Sequence, residues 1–354
     1  MDTKLPPEDS RRLATLRFPL IVAVVFIHAN NHRIGMADPS GGPALWVHWF
    51  RRMLSEGLAA VAVPLFFLVS GYLFFAGWRF SRQGFGAKLR SRTRTIGIPY
   101  LIWNVALALA LALAHALPAT RGLLSGKQGA FLDGGPWEWL KAIGGLDGPP
   151  VVYQFWFLRD LMVAILLVPL WSLAHRFQPA LWAAILGGLW FSHSWPLAYP
   201  SIVALLFFYL GSWVAARGRS LFFWDGAWPW LALAYVVLLG LEIVGGHAEL
   251  HLFGILLGIA VALAATQFLR APSAWGDRLQ RWAAYSFMVF ALHEPLLTVI
   301  QRLTAKVIQG TSPWLDLILY LAIPTVVVIG SCWVHAILSR IAPRFAAWIT
   351  GGRA

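Results

Sequence analysis

Apolar stretches long enough to cross a bilayer recur along this chain from residue 18 to residue 338, with no long polar block between them. That recurrence constrains the fold more than any other feature. A segment lying in hydrocarbon has to satisfy its own backbone hydrogen bonds, and it does so as a helix. Ten spans are predicted, at 13–32, 56–78, 95–117, 151–174, 179–195, 197–216, 227–246, 250–270, 282–304 and 315–339. The fold class is therefore all-α, a polytopic membrane protein with about ten transmembrane helices in one integral membrane domain over residues 1–354. Composition agrees, since only 12% of the residues are charged, against about 25% in soluble domains. Arg11 and Arg12 precede the first apolar stretch as in a signal peptide, but no small-x-small cleavage site follows. An uncleaved first helix is expected.

The net charge of +13 raises the question of nucleic acid, and the placement of the basic residues answers it. With the N-terminus in the cytoplasm, 19 of the 28 Lys and Arg fall on cytoplasmic segments and 8 on outer ones, leaving Arg159 inside a span. That is the positive-inside asymmetry, so both termini are expected in the cytoplasm and no nucleic-acid partner is. Cys332 is the single cysteine, which excludes an intramolecular disulfide and a cysteine-based metal site; no metal is expected.

Two connections are long enough to do more than turn. Residues 79–94, "RFSRQGFGAKLRSRTR", are basic and cytoplasmic, with Phe80, Phe85 and Leu89 suited to an interfacial helix on the inner leaflet. Residues 118–150 are outside and rich in Gly, Pro, Trp and acids, as in an ordered loop over an outer opening. No internal repeat is visible, so the inverted-repeat signature of many transporters is missing.

Within the spans, ionisable side chains are functional candidates because hydrocarbon makes them costly. Arg17 and His28 are eleven residues apart, a spacing that returns a helix to within about 20° of the same face, some 16 Å further along. Asn31 and His32 extend the polar face of His28 towards the outer end. A neutral imidazole there can serve as a general base; a histidine hydrogen-bonded to a neighbouring helix explains it equally. For Arg17, snorkelling to lipid phosphate competes with a role in the site. Arg90, Arg92 and Arg94 form a cationic cluster suited to a phosphate-bearing donor, or to anionic lipid. Arg159 and Asp160 lie inside the fourth span and, as helix neighbours that do not face each other, are each expected to pair with a different partner. His293 and Glu294 precede Pro295, which is expected to break the local ladder and open a small polar cavity. Glu56 opens the second span near the end of His28's helix, as an orienting carboxylate or as an idle surface one, and Glu242 is expected near the outer interface.

Five blocks, "LRFPLIVAVVFIHA", "VPLFFLVSGYLFF", "RTRTIGIPYLIWN", "FWFLRDLMVAILLVPL" and "ALHEPLL", occur in the order found in the acyltransferase-3 family of integral membrane acyltransferases, which the chain resembles over nearly its whole length. "WFLRDL" is most similar to bacterial members that O-acetylate surface polysaccharides or their lipid-linked precursors. The resemblance implies ten helices with cytoplasmic termini, in the bacterial inner (cytoplasmic) membrane. It maps the family's essential first-helix histidine onto His28, its arginine onto Arg17, and the "SGY" block onto Ser70, Gly71 and Tyr72. It also implies cytoplasmic acyl-CoA as co-substrate, with no bound cofactor, and a donor site using basic residues before the third helix. Two positions depart from the family pattern: Ala14 stands where an aspartate is frequent, and Thr95 where the second of two arginines falls, with Arg94 displaced by one. Many members carry a soluble hydrolase-like domain; with none in this sequence, direct transfer to the acceptor is expected.

The function expected is O-acyl transfer, with acetyl moving from acetyl-CoA to a sugar hydroxyl of a glycan or polyprenyl-linked glycan. His28, Glu56 and Arg159 are the catalytic candidates, Arg159 as an oxyanion stabiliser. Arg17, Arg90, Arg92 and Arg94 are the donor-binding ones, and Asn31, His32, Ser70, Tyr72, Asp160, His293 and Glu294 the acceptor-side or structural polar ones. Membrane lipids are the remaining partners. The alternative is a transporter or flippase of a lipid-linked or small polar substrate, which would move its substrate without acyl transfer and gives no reason for so basic a cytoplasmic loop.

Overall fold

In the computed structural model the described residues are 5–30, 41–78, 80–117, 131–271, 273–308 and 312–352, and among them there is no strand. In chain order the α-helices begin with α1 (Pro7–Ala29), α2 (Gly42–Arg52), α3 (Ala62–Phe75), α4 (Arg82–Arg92) and α5 (Ile98–Ala116). Next come α6 (Pro136–Gly144), α7 (Trp156–Leu166), α8 (Val168–Arg176), α9 (Pro179–Phe191) and α10 (Ile202–Ala216). The last are α11 (Trp228–Leu239), α12 (His251–Ala265), α13 (Ala274–Trp282), α14 (Ser286–Val307), α15 (Pro313–Ile341) and α16 (Pro343–Thr350).

Seven continuous helical stretches are long and apolar enough to cross a membrane: Pro7–Ala29, Gly42–Phe75, Arg82–Ala116, Asp225–Val244, Ala248–Leu269, Ala274–Val307 and Pro313–Ile341. The pair Tyr153–Leu166 and Val168–Arg176, bent by 54°, makes an eighth if taken as one span. Two shorter apolar helices, α9 with 13 residues and α10 with 15, fall on the remaining predicted positions. A polytopic all-α membrane protein results. The second span is longer than predicted because α2 precedes it without a break, and the basic segment expected on the inner leaflet runs on as helix into α5.

Two compact units are formed, Met1–Trp78 with Tyr209–Ile337, and Arg79–Phe208 with Leu338–Ala354. In the first, α1 packs along α13 and α14 and against α3, burying Leu13, Ile21, Val24 and Val25 against residues such as Phe287 and Leu297. Helices α11 and α12 form a hairpin against the same core. At Gly211 in α10 and Leu68 in α3 the backbones approach so closely that a β-carbon on Gly211 would overlap the Leu68 carbonyl oxygen.

Buried charge in this unit is paired throughout the network around Arg12. Its guanidinium, 1% exposed, donates to both carboxylate oxygens of Asp225 at 2.8 Å, to Thr266 Oγ1 at 2.8 Å and to the Leu263 carbonyl, and lies 3.5 Å from the Phe222 ring centre. Arg270 joins the same carboxylate from the rim. Glu242 lies near the end of its apolar stretch and is no idle surface carboxylate: it is 3% exposed and bonded to His251 Nδ1 at 2.7 Å, on a π-helical turn over Gly240–Val244. Pro295, which lacks the N–H for a ladder bond, lies inside α14, and the helix continues through it from Ser286 to Val307. One missing ladder bond does not end a membrane helix whose neighbours hold it.

In the second unit α4 joins α5 through a π-helical turn over Thr93–Gly97, and α5 carries α16 by a bond from Trp103 Nε1 to the Ile349 carbonyl at 3.0 Å. Asn104, fully buried, donates to the Tyr100 carbonyl and accepts from the Val152 amide, both at 2.8 Å, anchoring the chain that leads into α7.

Candidate active site

His28 lies in the last turn of α1, seven residues after buried Ile21 and three after buried Val25, so it continues the stripe that α1 presents to its neighbours. Its ring centre is 5.1 Å from that of His293 on α14, with the planes inclined by 56°. His293 is fully buried. Its Nδ1 sits 2.8 Å from the Phe290 carbonyl and 3.2 Å from that of Val289. A carbonyl only accepts, so these bonds assign the proton to Nδ1 and leave Nε2 with a lone pair. Two turns further on, Gln301 donates from Nε2 to the Ala29 carbonyl at 3.1 Å and fixes the end of α1 against α14. The sequence named both histidines separately; the fold makes them one pair.

A second polar group borders this pair. The end of α2 runs into a π-helical turn over Met53–Leu58, which carries Ser55 and Glu56. Ser55 Oγ donates to the Phe26 carbonyl at 2.7 Å and lies 2.7 Å from Tyr320 Oη. Glu56 accepts from Asn30 Nδ2 at 3.2 Å and from Arg52 Nε at 2.7 Å. Its carboxylate thus reaches α1 two residues beyond His28, already shared with a cation. Arg51, buried, donates from Nη1 to both carboxylate oxygens of Asp316 at 2.6 and 2.7 Å with its guanidinium 4.8 Å from the Tyr320 ring centre, joining α2 to α15. Asn31 and His32 lie outside the described residues.

The remaining candidates are dispersed. Arg17 is exposed on α1, whereas Arg12, five residues earlier, is buried. Ser70 is half-buried and Tyr72 buried on α3, at the level where Gly211 crosses. Glu294 is half-buried beside His293 and accepts from Thr298 Oγ1 at 3.2 Å. On the basic segment Arg90 and Arg94 are exposed, one turn apart, and Arg92 is half-buried.

Arg159 and Asp160 correct the expectation that each pairs elsewhere. Arg159 Nε donates to Asp160 Oδ1 at 2.9 Å, because at the first turn of α7 the long side chain curls back towards its neighbour. The same guanidinium donates from Nη1 to the carbonyls of Gly145 and Gly148 at 2.6 and 2.8 Å and lies 3.8 Å from the Tyr199 ring centre. Asp160 Oδ2 in turn accepts from the Ser201 amide at 2.7 Å, at the start of α10. The pair fastens two loops to α7.

Sequence reasoning missed Arg12, Asp225, Arg51, Asp316 and Tyr320, all of them in buried polar contacts. Their charges read as loop charges, and the one available signal was acidic residues, Asp225 and Asp316, at the very starts of apolar stretches.

Fold and site together define a polytopic all-α membrane protein holding an imidazole pair on its first and ninth apolar helical stretches. A family model described as an acyltransferase domain, Acyl_transf_3, matches residues 11–336, and the chain belongs to that family of acyltransferases. The matched range contains both histidines. The succinoglycan biosynthesis protein ExoH of Rhizobium meliloti (strain 1021) is 27% identical over 368 residues, spanning 97% of this chain and 92% of that protein. No solved structure matches the chain.

Proposed function

We propose that the protein is a multi-pass O-acyltransferase of the bacterial inner membrane that moves an acyl group, acetyl in the first instance, from acyl-CoA to a sugar hydroxyl of a surface polysaccharide or its lipid-linked precursor. The observation that carries this reading is the juxtaposition of half-buried His28 and fully buried His293 within the acyltransferase match. The similarity to a protein named for succinoglycan biosynthesis supports a polysaccharide as the acceptor class.

In the reaction, His28 takes the proton of the attacking hydroxyl as its oxygen bonds to the thioester carbonyl carbon. The tetrahedral intermediate collapses with cleavage of the carbon–sulfur bond, and the proton passes from His28 to the departing thiolate. The imidazole is regenerated, and one alcohol and one thioester leave as one ester and one free thiol. Arg90, Arg92 and Arg94 serve the phosphates of the donor, to which guanidinium forks are matched, and Arg17 adds a further cation on the first helix. Arg159, whose donors are engaged by Asp160 and two carbonyls, is the weaker candidate for the oxyanion. Ser70, Tyr72 and Glu56 act as polar supports.

The test is transfer of radiolabelled acetyl from acetyl-CoA into glycan by membranes carrying the wild type or His28→Ala. The variant is expected to lose about 10²–10⁴-fold in rate at unchanged protein level. Wild-type rate in the variant overturns the general-base role. Mass spectrometry of surface glycan with and without the gene names the acyl group by its missing increment.

A further inference from the structure

We propose that His293 is the positioning residue of the site: its Nε2 is the acceptor to which the Nδ1–H of His28 turns when the acceptor hydroxyl binds, which holds His28 in the tautomer whose Nε2 faces that hydroxyl. The proposal rests on the general-base reading of His28 and goes beyond it by assigning what orients that base.

Four observations carry it. His293 is fully buried and its Nδ1–H is committed to the carbonyls of Phe290 and Val289, which leaves Nε2 able only to accept. Nε2 is itself buried and finds no partner among the described residues, a state that costs free energy until a donor supplies the bond. The neighbouring imidazole is that of His28, 5.1 Å centre to centre. Finally, the Gln301 bond to the Ala29 carbonyl holds α1 and α14 in register one residue beyond His28. A neutral imidazole has one N–H and one lone pair. Once its N–H is directed to His293, the lone pair that remains is the catalytic one. When His28 gains the hydroxyl proton, the same bond strengthens, because a charged donor now meets a neutral acceptor. The chain of bonds ends on backbone carbonyls of α14, so the orienting group cannot rotate away.

The test uses membranes of the full-length protein in a strain lacking the chromosomal gene, with radiolabelled acetyl-CoA as donor and the glycan already in those membranes as acceptor. Maximal rate and KM for acetyl-CoA are measured for wild type, His293→Phe, His293→Asn and His293→Gln. Phe keeps ring volume without a lone pair. Asn keeps a donor near the position of Nδ1 but cannot reach that of Nε2, whereas Gln places an amide near Nε2. The expected result is a maximal rate lowered about 10–100-fold in the Phe and Asn variants and substantially restored in Gln, with KM unchanged throughout. Packing alone predicts the opposite order, with Phe the mildest. If Phe does not accumulate in the membrane, the Asn and Gln pair decides. Wild-type rates in Asn, or equal losses in Asn and Gln, overturn the positioning role while leaving acyl transfer by His28 standing. Absence of transfer by the wild type overturns the acyltransferase reading and this inference with it.

Discussion

Arg12 and Asp225 form one of the buried charge pairs of the first unit, and the two partners are not equivalent. Removing Arg12 leaves a carboxylate that Arg270 still reaches from the rim. Removing Asp225 leaves a guanidinium 1% exposed with only a hydroxyl, a carbonyl and an aromatic face. Uncompensated buried charge costs about 3–5 kcal/mol. Asp225→Ala is therefore expected to lower stability by that amount, and Arg12→Met by less, in thermal unfolding of detergent-solubilised protein followed by size-exclusion chromatography. Equal losses would show that Arg270 contributes nothing. At this scale the sequence reveals chemistry but not partners. His28 and His293 stand out because an imidazole in an apolar run needs a polar partner or a chemical role, and the same logic finds Arg159 and Asp160. Arg12, Arg51, Asp225 and Asp316 escape notice because a charge at the edge of a span satisfies the positive-inside rule wherever its side chain goes. Their burial is decided by residues 213 and 265 positions away, and no local pattern encodes that.

Three π-helical turns, over Met53–Leu58, Thr93–Gly97 and Gly240–Val244, carry Glu56, Arg94 and Glu242 respectively. Such turns re-aim one residue against the regular helix and gather at functional sites. Facing arguments built on 100° per residue do not carry across them. Hydropathy places every apolar stretch correctly but not its ends: Trp46, Trp49, Arg51 and Arg52 read as outer loop, whereas α2 continues into the second span. Close crossings are equally silent in the sequence. A β-carbon on Gly211 would overlap the Leu68 carbonyl oxygen and lie 2.9 Å from the Tyr72 amide nitrogen, backbone atoms that no rotamer change can move. Gly211→Ala is thus expected to cost at least the upper end of about 1–3 kcal/mol. Gly187→Ala, on α9 where a β-carbon meets nothing within 4 Å, is expected to be neutral or to stabilise by a few tenths up to about 1 kcal/mol through helix propensity. Comparable thermal midpoints for the two variants would contradict the close crossing.

For the whole molecule, the open issue is how many of the ten apolar stretches cross the bilayer and in which sense. From charge asymmetry the N-terminus and α4 are expected on the cytoplasmic side. Helices α9 and α10, of 13 and 15 residues, reach only about 20 Å each, short of a hydrocarbon core of about 30 Å. Local thinning or flanking residues close that gap at modest cost, so the two helices are expected to span. Ser194, exposed between them, and Ser91, exposed on α4, distinguish the arrangements. In a Cys332→Ser background, Ser194→Cys is expected to react with a membrane-impermeant maleimide in cells with a permeabilised outer membrane, and Ser91→Cys only after lysis. Were α9 and α10 a re-entrant pair entering from the cytoplasm, Ser194→Cys would resist the reagent from both sides. Were the protein inverted, the two labelling patterns would exchange, and Arg90, Arg92 and Arg94 would then face away from cytoplasmic acyl-CoA, which removes them from the donor site. The labelling result therefore fixes the topology and, with it, whether a cytoplasmic thioester can be the donor those arginines serve.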